Sequence, residues 1–591
     1  MNRHSRTLLV ILVVAAVIIP YWYLSRRSTL PVGTNVGSGK EPASTGLVAE
    51  RGGEIVASTR SDPRSFNRLT QPDVITDMIS MLTLGRLVRI NRATTELEPW
   101  LAERWTSSPD GLTHTLTLRD GVTWSDGVPF TSADVLFSIE AVYDPRAQSP
   151  LAAALSIGGK PLKVTAPDAR TVVLTFPQTF GPGLRVLDNL AMMPRHKLEA
   201  ALAAGTFAKA WTPDTPPGEM VAIGPFVLTE YVPAQRMVFD RNPRYWRRDA
   251  RNIQLPYADR LTLEIVPDQD AEVLRVQAGR SDFMQQALRA ADLEAMRPLE
   301  AQKKIQIVEL GVSGDPDALV FNLRPGKWSA DARGAWIGRK EFRQAISHAV
   351  DREAFANAVF LGAAVPIHGP VTPGNPRWFW PSITRYEFSR EKAKALLAGI
   401  GLENRDQDEW LEDAKGTEAR FTLQTFRGNR VLERSAAVVR DELRQIGVAI
   451  DVVPLETNAV RQSVVKGDFE AAFIAFFTND PDPAMSKDLW LSSGGAHFWH
   501  LGQTTPATDW ERQIDELMAK QASTLDEAER KRLFTEVQRI FADHLPMLHF
   551  AAPRVYIGAS ARLLNLTPAL TRPHIMWSAD TLALASAARS Q

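Results

Sequence analysis

Cysteine is absent from all 591 residues. That excludes disulfides, thiolate metal sites, cysteine nucleophiles and a lipid anchor on an N-terminal cysteine. It is compatible with an oxidising compartment. Net charge is absent too, since 68 Lys and Arg balance 68 Asp and Glu. With no long basic stripe, nucleic acid is not an expected partner. The signatures of common catalysts are also missing. There is no G-x-S-x-G elbow, no P-loop, no H-E-x-x-H and no G-x-G-x-x-G. Among the ten histidines only His497 and His500 stand close, and the preceding Gly494-Gly495 places them in a loop. The expectation is therefore a chain with no cofactor and no metal that is not an enzyme.

What is present begins with the N-terminus. A basic Asn2–Arg6 is followed by an uncharged apolar run, Leu8 to Leu24, then Arg26-Arg27. At 1.5 Å per residue the run spans roughly 25 Å, slightly less than a bilayer core. Tyr21-Trp22-Tyr23 stand as an interfacial belt, in the place where a cleaved signal peptide needs small residues. Residues 1–27 are read as a signal anchor in preference to a cleaved signal. Ser28 to Ala49 has no periodicity and is rich in Gly, Ser, Thr and Pro. It reads as a flexible linker over 28–50 that sets the body just outside a membrane. The remaining length exceeds one core and implies several domains.

The most legible stretch runs from Leu97 to Asp144. Ser108-Pro109-Asp110-Gly111 is a turn, and Leu112 to Arg119 alternates as a half-buried strand. Val122-Thr123-Trp124 is a short strand between two Asp-Gly turns. Thr131 to Asp134 is a capping box opening a helix that Asp144-Pro145 stops. Leu184 to Leu202 reads as mostly helical. Further on, the strand Phe421 to Thr425, the helix Val431 to Ile446 and the strand Val448 to Val453 give a β-α-β order, hence a mixed sheet with helices on its faces. Thr524 to Glu527 reads as a second capping box.

Two features invite a functional reading. Asp480-Pro481-Asp482-Pro483 follows an apolar strand, Ala471 to Phe477. Two carboxylates in a proline-stiffened loop suit a cationic ligand group or an acid/base pair; a solvated acidic turn is the plainer reading. Trp378, Trp380, Trp490 and Trp499 lie in Gly- and Pro-flanked surroundings, as packing residues or as walls of an aromatic pocket.

Several segments together resemble one family. "ELEPWLAERW…DGLTHTLTLRDGVTWSDGVPFTSADVLFSIE" is similar to the hallmark of the family 5 extracellular solute-binding proteins, the peptide, oligopeptide and nickel receptors of bacterial ABC importers. Ala222–Leu228 through Arg241–Trp246, Phe342–Arg352, Ile367–Pro376, Phe388–Leu397 and Gly467–Pro483 resemble further family blocks in the family's order. The resemblance implies an α/β, bilobal periplasmic-binding-protein-like fold of type II, in the larger variant with an extra small domain. It places lobe I in 51–86, 222–315 and 552–585, the small domain in 87–221 and lobe II in 316–551. It implies a monomer that captures a ligand, a peptide first, between its lobes and delivers it to a permease and ATPase from the periplasm or outer membrane face. Oligopeptide members carry an aspartate for the peptide amine where this chain has Asn479. Asp480 and Asp482 are then expected to supply the ligand-amine contacts, with Trp378, Trp380, Trp490 and Trp499 as walls. The alternatives are a receptor of this fold for signalling, one for a nickel chelate or sugar, and a carboxylate hydrolase.

Overall fold

The strand Glu54–Thr59 is buried along its second half, as suits a strand covered on both faces. The computed structural model, which describes residues 51–475 and 480–585, places it inside an eight-stranded sheet. The order runs Ile305–Val312, Ala551–Ser560, Phe283–Met284, Glu54–Thr59, Arg260–Ile265, Arg236–Arg241, Phe226–Val232, with Ala364–Pro366 paired to Ala551–Ser560. Glu54–Thr59 pairs in parallel with Arg260–Ile265. The expected signal anchor, the linker and Asn479 lie outside the described residues. Among the described residues no helix is long and apolar enough to cross a membrane.

A four-stranded antiparallel sheet packs beside this one, in the order Ala102–Ser107, Thr113–Leu118, Thr171–Thr175, Lys163–Asp168. His114, Leu116 and Leu118 are buried and the threonines between them are half-buried, the alternation read from sequence. Helix Ser132–Tyr143 follows with the expected capping box, in which Thr131 and Asp134 exchange side-chain to backbone bonds. Apolar residues of both sheets form one contiguous core, in which Ile55, Leu116, Trp124 and Phe239 are fully buried. We call this the first body.

The second body is built on a five-stranded sheet, ordered Ala449–Leu455, Arg420–Phe426, Ala471–Ile474, Ala318–Phe321, Met547–Leu548. Its first two strands are parallel and joined by helix Arg430–Arg444, the β-α-β unit the sequence implied. That helix buries Leu432, Ala436, Val439 and Leu443, one stripe at helical spacing. Each of the larger three contributes about 1.5–3 kcal/mol by leaving water.

The chain crosses between the bodies at 313–317 and at 549–550. The crossings touch: His549 Nδ1 lies 3.1 Å from the Asp317 carbonyl. A loop of the second body pins the first crossing, with Thr372 Oγ1 donating to the Ser313 carbonyl at 2.6 Å. Gly374 follows, where a Cβ would stand 2.0 Å from the Val312 carbonyl, so no larger residue fits.

Three local expectations change. Leu184–Leu202 divides into a 3-10 helix, Gly183–Asn189, and an α-helix, Arg195–Ala203, because extended Pro194 stands between them. Val122–Trp124 contributes only one bridge, Thr123 to Pro129. The helix Glu527–His544 is capped by Asp526, which accepts from the Glu529 amide at 2.7 Å, not by Thr524. The Thr524 hydroxyl instead donates back to the Lys520 carbonyl at 2.7 Å.

Candidate functional site

The loop after Ala471–Ile474 leaves the second sheet and meets the first body. Asp480 folds it: its Oδ1 accepts from the Asp482 amide at 2.8 Å, and the Ser486 hydroxyl donates to the Asp480 carbonyl at 2.7 Å. Asp482 Oδ1 accepts from the Ala484 amide at 3.0 Å. These are local side-chain to backbone bonds of the kind that Asp favours in turns. Asn375 Nδ2 ties the loop to its own body by donating to the Pro481 carbonyl at 2.8 Å.

The two carboxylates then diverge. Asp482 accepts two bonds from Arg530, at 2.7 and 2.9 Å, within the second body. The Arg530 guanidinium also stands 5.0 Å over the Trp378 ring. Asp480 instead accepts from Arg185 Nη2 of the first body, at 3.0 Å to one oxygen and 3.1 Å to the other. Burial pushes the Asp480 carboxyl up, against the downward pull of Arg185. Arg185 sits on the 3-10 helix Gly183–Asn189, whose Leu184, Val186 and Leu187 are buried in the first core. Its Nη1 donates to the Thr95 carbonyl at 2.6 Å.

Near Arg185 lies a chain of charge whose arginines are buried. Arg92 pairs with Asp188 at 2.7 Å. Asp77 accepts from Arg68 at 2.6 Å and from Arg86 at 3.0 Å. Around this chain the bodies meet in three more places. Arg377 bridges Glu96 at 3.1 Å and Glu527 at 2.6 Å. The Gly181 amide donates to the Ala522 carbonyl at 2.6 Å. A Cβ on Gly111 would come within 2.9 Å of Leu525.

The four tryptophans are not gathered on one wall. Trp378 and Trp490 are buried against Phe534, edge to face at 5.8 and 5.0 Å. Trp499 is buried, donates to Glu511 at 3.2 Å and lies 3.8 Å from the His497 ring. Trp380 is half-buried. His497 finds the carboxylate that its sequence surroundings lacked, Glu511, at 3.0 Å. Burial raises the Glu511 carboxyl, but bonds from His497, Thr508 and Gln503 outweigh it and hold it at about 2.

Two other features lie apart from this junction. A cavity of about 520 Å³ is lined only by residues between 350 and 388, among them Ile367, His368, Phe379 and Tyr386. Burial and the nearby Arg352 and Arg385 push His368 down to about 4. Arg352 spends its guanidinium on the Ile367, Ser347 and Tyr386 carbonyls and the Ser347 hydroxyl. Asp406, Asp408 and Glu412 bring oxygens within 4.8 Å of one another, but Asp408 and Glu412 already cap backbone amides of their own loop.

Sequence reasoning missed Arg185, Arg377 and Asp317. Asp317 lies on the first crossing and keeps some solvent contact while protein surrounds it. Burial, and then the neighbouring Asp315, raise its carboxyl to about 7. Among the described residues no cation pairs with it. The signal was available, since Asp315-Pro316-Asp317 repeats the Asp-Pro-Asp of 480–482.

Comparison with known proteins decides what this arrangement belongs to. The profile of bacterial extracellular solute-binding proteins, family 5 Middle, matches residues 96–498. The chain belongs to this family. Its members are the substrate-binding components of ABC importers. A probable ABC transporter-binding protein of Deinococcus radiodurans is 26% identical over 503 residues, covering 82% of this chain and 84% of the relative. The oligopeptide-binding protein AppA of Bacillus subtilis is 24% identical over 528 residues, covering 87% and 89%. The crystal structure of NikA from Brucella suis with Fe(III)-EDTA superposes with a TM-score of 0.75, at 18% identity, over 90% of this chain and all of NikA. The mixed α/β fold is thus that of the solute-binding proteins.

Proposed function

We propose that this family 5 chain captures short peptides between its two bodies and hands them to an ABC permease. One observation carries the reading. A loop bearing paired carboxylates follows one sheet and lands on the other body, while the chain crosses between the bodies at two segments that touch each other. That is the layout of a receptor that closes around its ligand by bending at the crossings. The name of the AppA relative supports peptide over other ligands. NikA, with its bound chelate, favours the second reading, a small anionic or metal-bearing ligand.

Within this proposal the first body comprises lobe I and the small domain, bounded as the family resemblance implies, and the second is lobe II. Residues 1–27 hold the receptor at the outer membrane face, and 28–50 give it reach. Asp480 is the carboxylate we assign to the ligand's end of the site, and Asn479, which precedes it in the sequence, is assigned there by the family resemblance alone. Asp482 supports it from below through Arg530. Of the four tryptophans, Trp380 has surface left for a ligand, and Trp378, Trp490 and Trp499 stiffen the floor. No step of catalysis is assigned to any of these groups.

The test is native mass spectrometry of the protein purified without refolding. A ladder of co-purified short peptides is expected. A nickel chelate or a sugar in the same preparation overturns the peptide reading and leaves the receptor reading intact.

A further inference from the structure

We propose that Arg185 is an internal counter-ion standing on Asp480 where a ligand amine would bind, so that the receptor clasps itself shut and selects ligands bringing no cation to that point. This rests on the ligand reading above and names the chemistry the site refuses.

The geometry is specific. Both oxygens of Asp480 face the single Nη2 of Arg185, at 3.0 and 3.1 Å, and the two side chains are 8% and 11% exposed. Asp480 Oδ1 is also occupied by the Asp482 amide. A carboxylate offers about four acceptor sites, and three are filled. A ligand ammonium therefore enters only by displacing Arg185.

Displacement is disfavoured by what Arg185 would then face. It makes no ion pair other than that with Asp480 among the described residues, and its remaining bond is to the Thr95 carbonyl. Its Nε is already buried without a partner among the described residues. The neighbouring acid, Asp188, is committed to Arg92 and to the Ile90 amide. A guanidinium stripped of its carboxylate in such a place is a buried, uncompensated charge. The 3-10 helix carrying Arg185 is itself anchored in the first core by the buried Leu184, Val186 and Leu187, so its backbone does not move to follow a displaced side chain.

The pair also joins the two bodies, so it works as a clasp in the absence of ligand. Three contacts assist it: Arg377 with Glu96, Gly181 with Ala522, and Leu525 over Gly111. Arg185 is thus a specificity-determining residue that acts through Asp480.

The chain's lack of cysteine makes the test clean. Cysteines introduced at exposed Lys163 and Lys394, one on each body, carry spin labels with no background in the full-length protein. Electron–electron distances are measured without ligand. The wild-type background is expected to give one short, narrow distribution. Arg185→Gln is expected to give a longer, broader one, and the charge exchange Arg185→Asp with Asp480→Arg is expected to shorten it again. A distribution unchanged in Arg185→Gln overturns the clasp.

A second arm reads selectivity by thermal shift, using a mixture of tri- to pentapeptides with free amino termini and the same mixture N-acetylated. Wild type is expected to prefer the acetylated set. Arg185→Gln is expected to gain about tenfold in affinity for the free-amine set. A wild-type preference for free amines overturns the selection. If neither mixture shifts either protein, the peptide reading fails, and the distance measurement still decides the clasp.

Discussion

Asp480 and Asp482 stand two residues apart, each meets one arginine, and the two pairs do opposite work. Asp482 and Arg530 both belong to the second body, and both are nearly dry. Their pair survives any motion of one body against the other. Asp480 reaches Arg185 across the junction, so its pair exists only while the bodies are together. An ion pair's role thus follows from whether its partners share a core rather than from its distance or burial. Asp317, the end of the other Asp-Pro-Asp, adds a third case. It sits at the crossing with no cation paired to it among the described residues, and burial raises its carboxyl to about 7.

The comparison is broken most severely from its rigid side. Asp482→Ala leaves Arg530 buried and unpaired, and is expected to cost about 3–5 kcal/mol in urea unfolding. A loss below about 1 kcal/mol would put Asp482 in the same class as Asp480.

Acid tests two buried histidines next, one of them, His549, at a crossing. Burial holds His549 and His574 neutral, at about 4 against an ordinary 6.5. The unfolded chain takes up these protons first, so stability is expected to fall as pH drops from 6.5 toward 4. The loss is on the order of 2 kcal/mol for each histidine. His549→Gln should flatten that slope, as read by unfolding at pH 7 and pH 5.

Asp317 has the opposite sign. Its folded carboxyl is raised, so ionising it costs stability from about pH 4 upward and in full above about pH 7. Asp317→Asn is expected to raise stability at pH 8 by on the order of 1–2 kcal/mol, after allowance for its solvent contact, and to change nothing below pH 4. Destabilisation at pH 8 would mean that a cation pairs with it after all.

The mildest change is Asp480→Asn. Opening lets Arg185 reach water, so a cost of about 1 kcal/mol is expected, well under that of Asp482→Ala. Because burial already raises the Asp480 carboxyl, acid should open wild type before ordinary carboxylates titrate, while Asp480→Asn should be open throughout. Hydrogen exchange at 181–185 and 520–525 reads both.

Much of this molecule is written locally. The alternation of Thr113–Leu118, the box at Thr131 and Asp134, and the stripe of Arg430–Arg444 each need only neighbours within a few residues, and each was legible. Thr524 was misread because two good caps stand two residues apart, and its hydroxyl was taken by the preceding helix end. The four tryptophans were visible as a group, but two of them, Trp378 and Trp490, are buried against Phe534, 44 residues along the chain from Trp490 and further from Trp378.

The sequence by itself determined the family, the element types and the Asp-Pro-Asp loop, because collinear motifs, periodicity and turn chemistry are short-range properties. Only the tertiary structure decided which arginine each aspartate meets. Arg185 and Asp480 are 295 residues apart, and nothing near either one predicts the other. Long-range charge pairing is set by how the two cores come together, which no local pattern in the chain encodes.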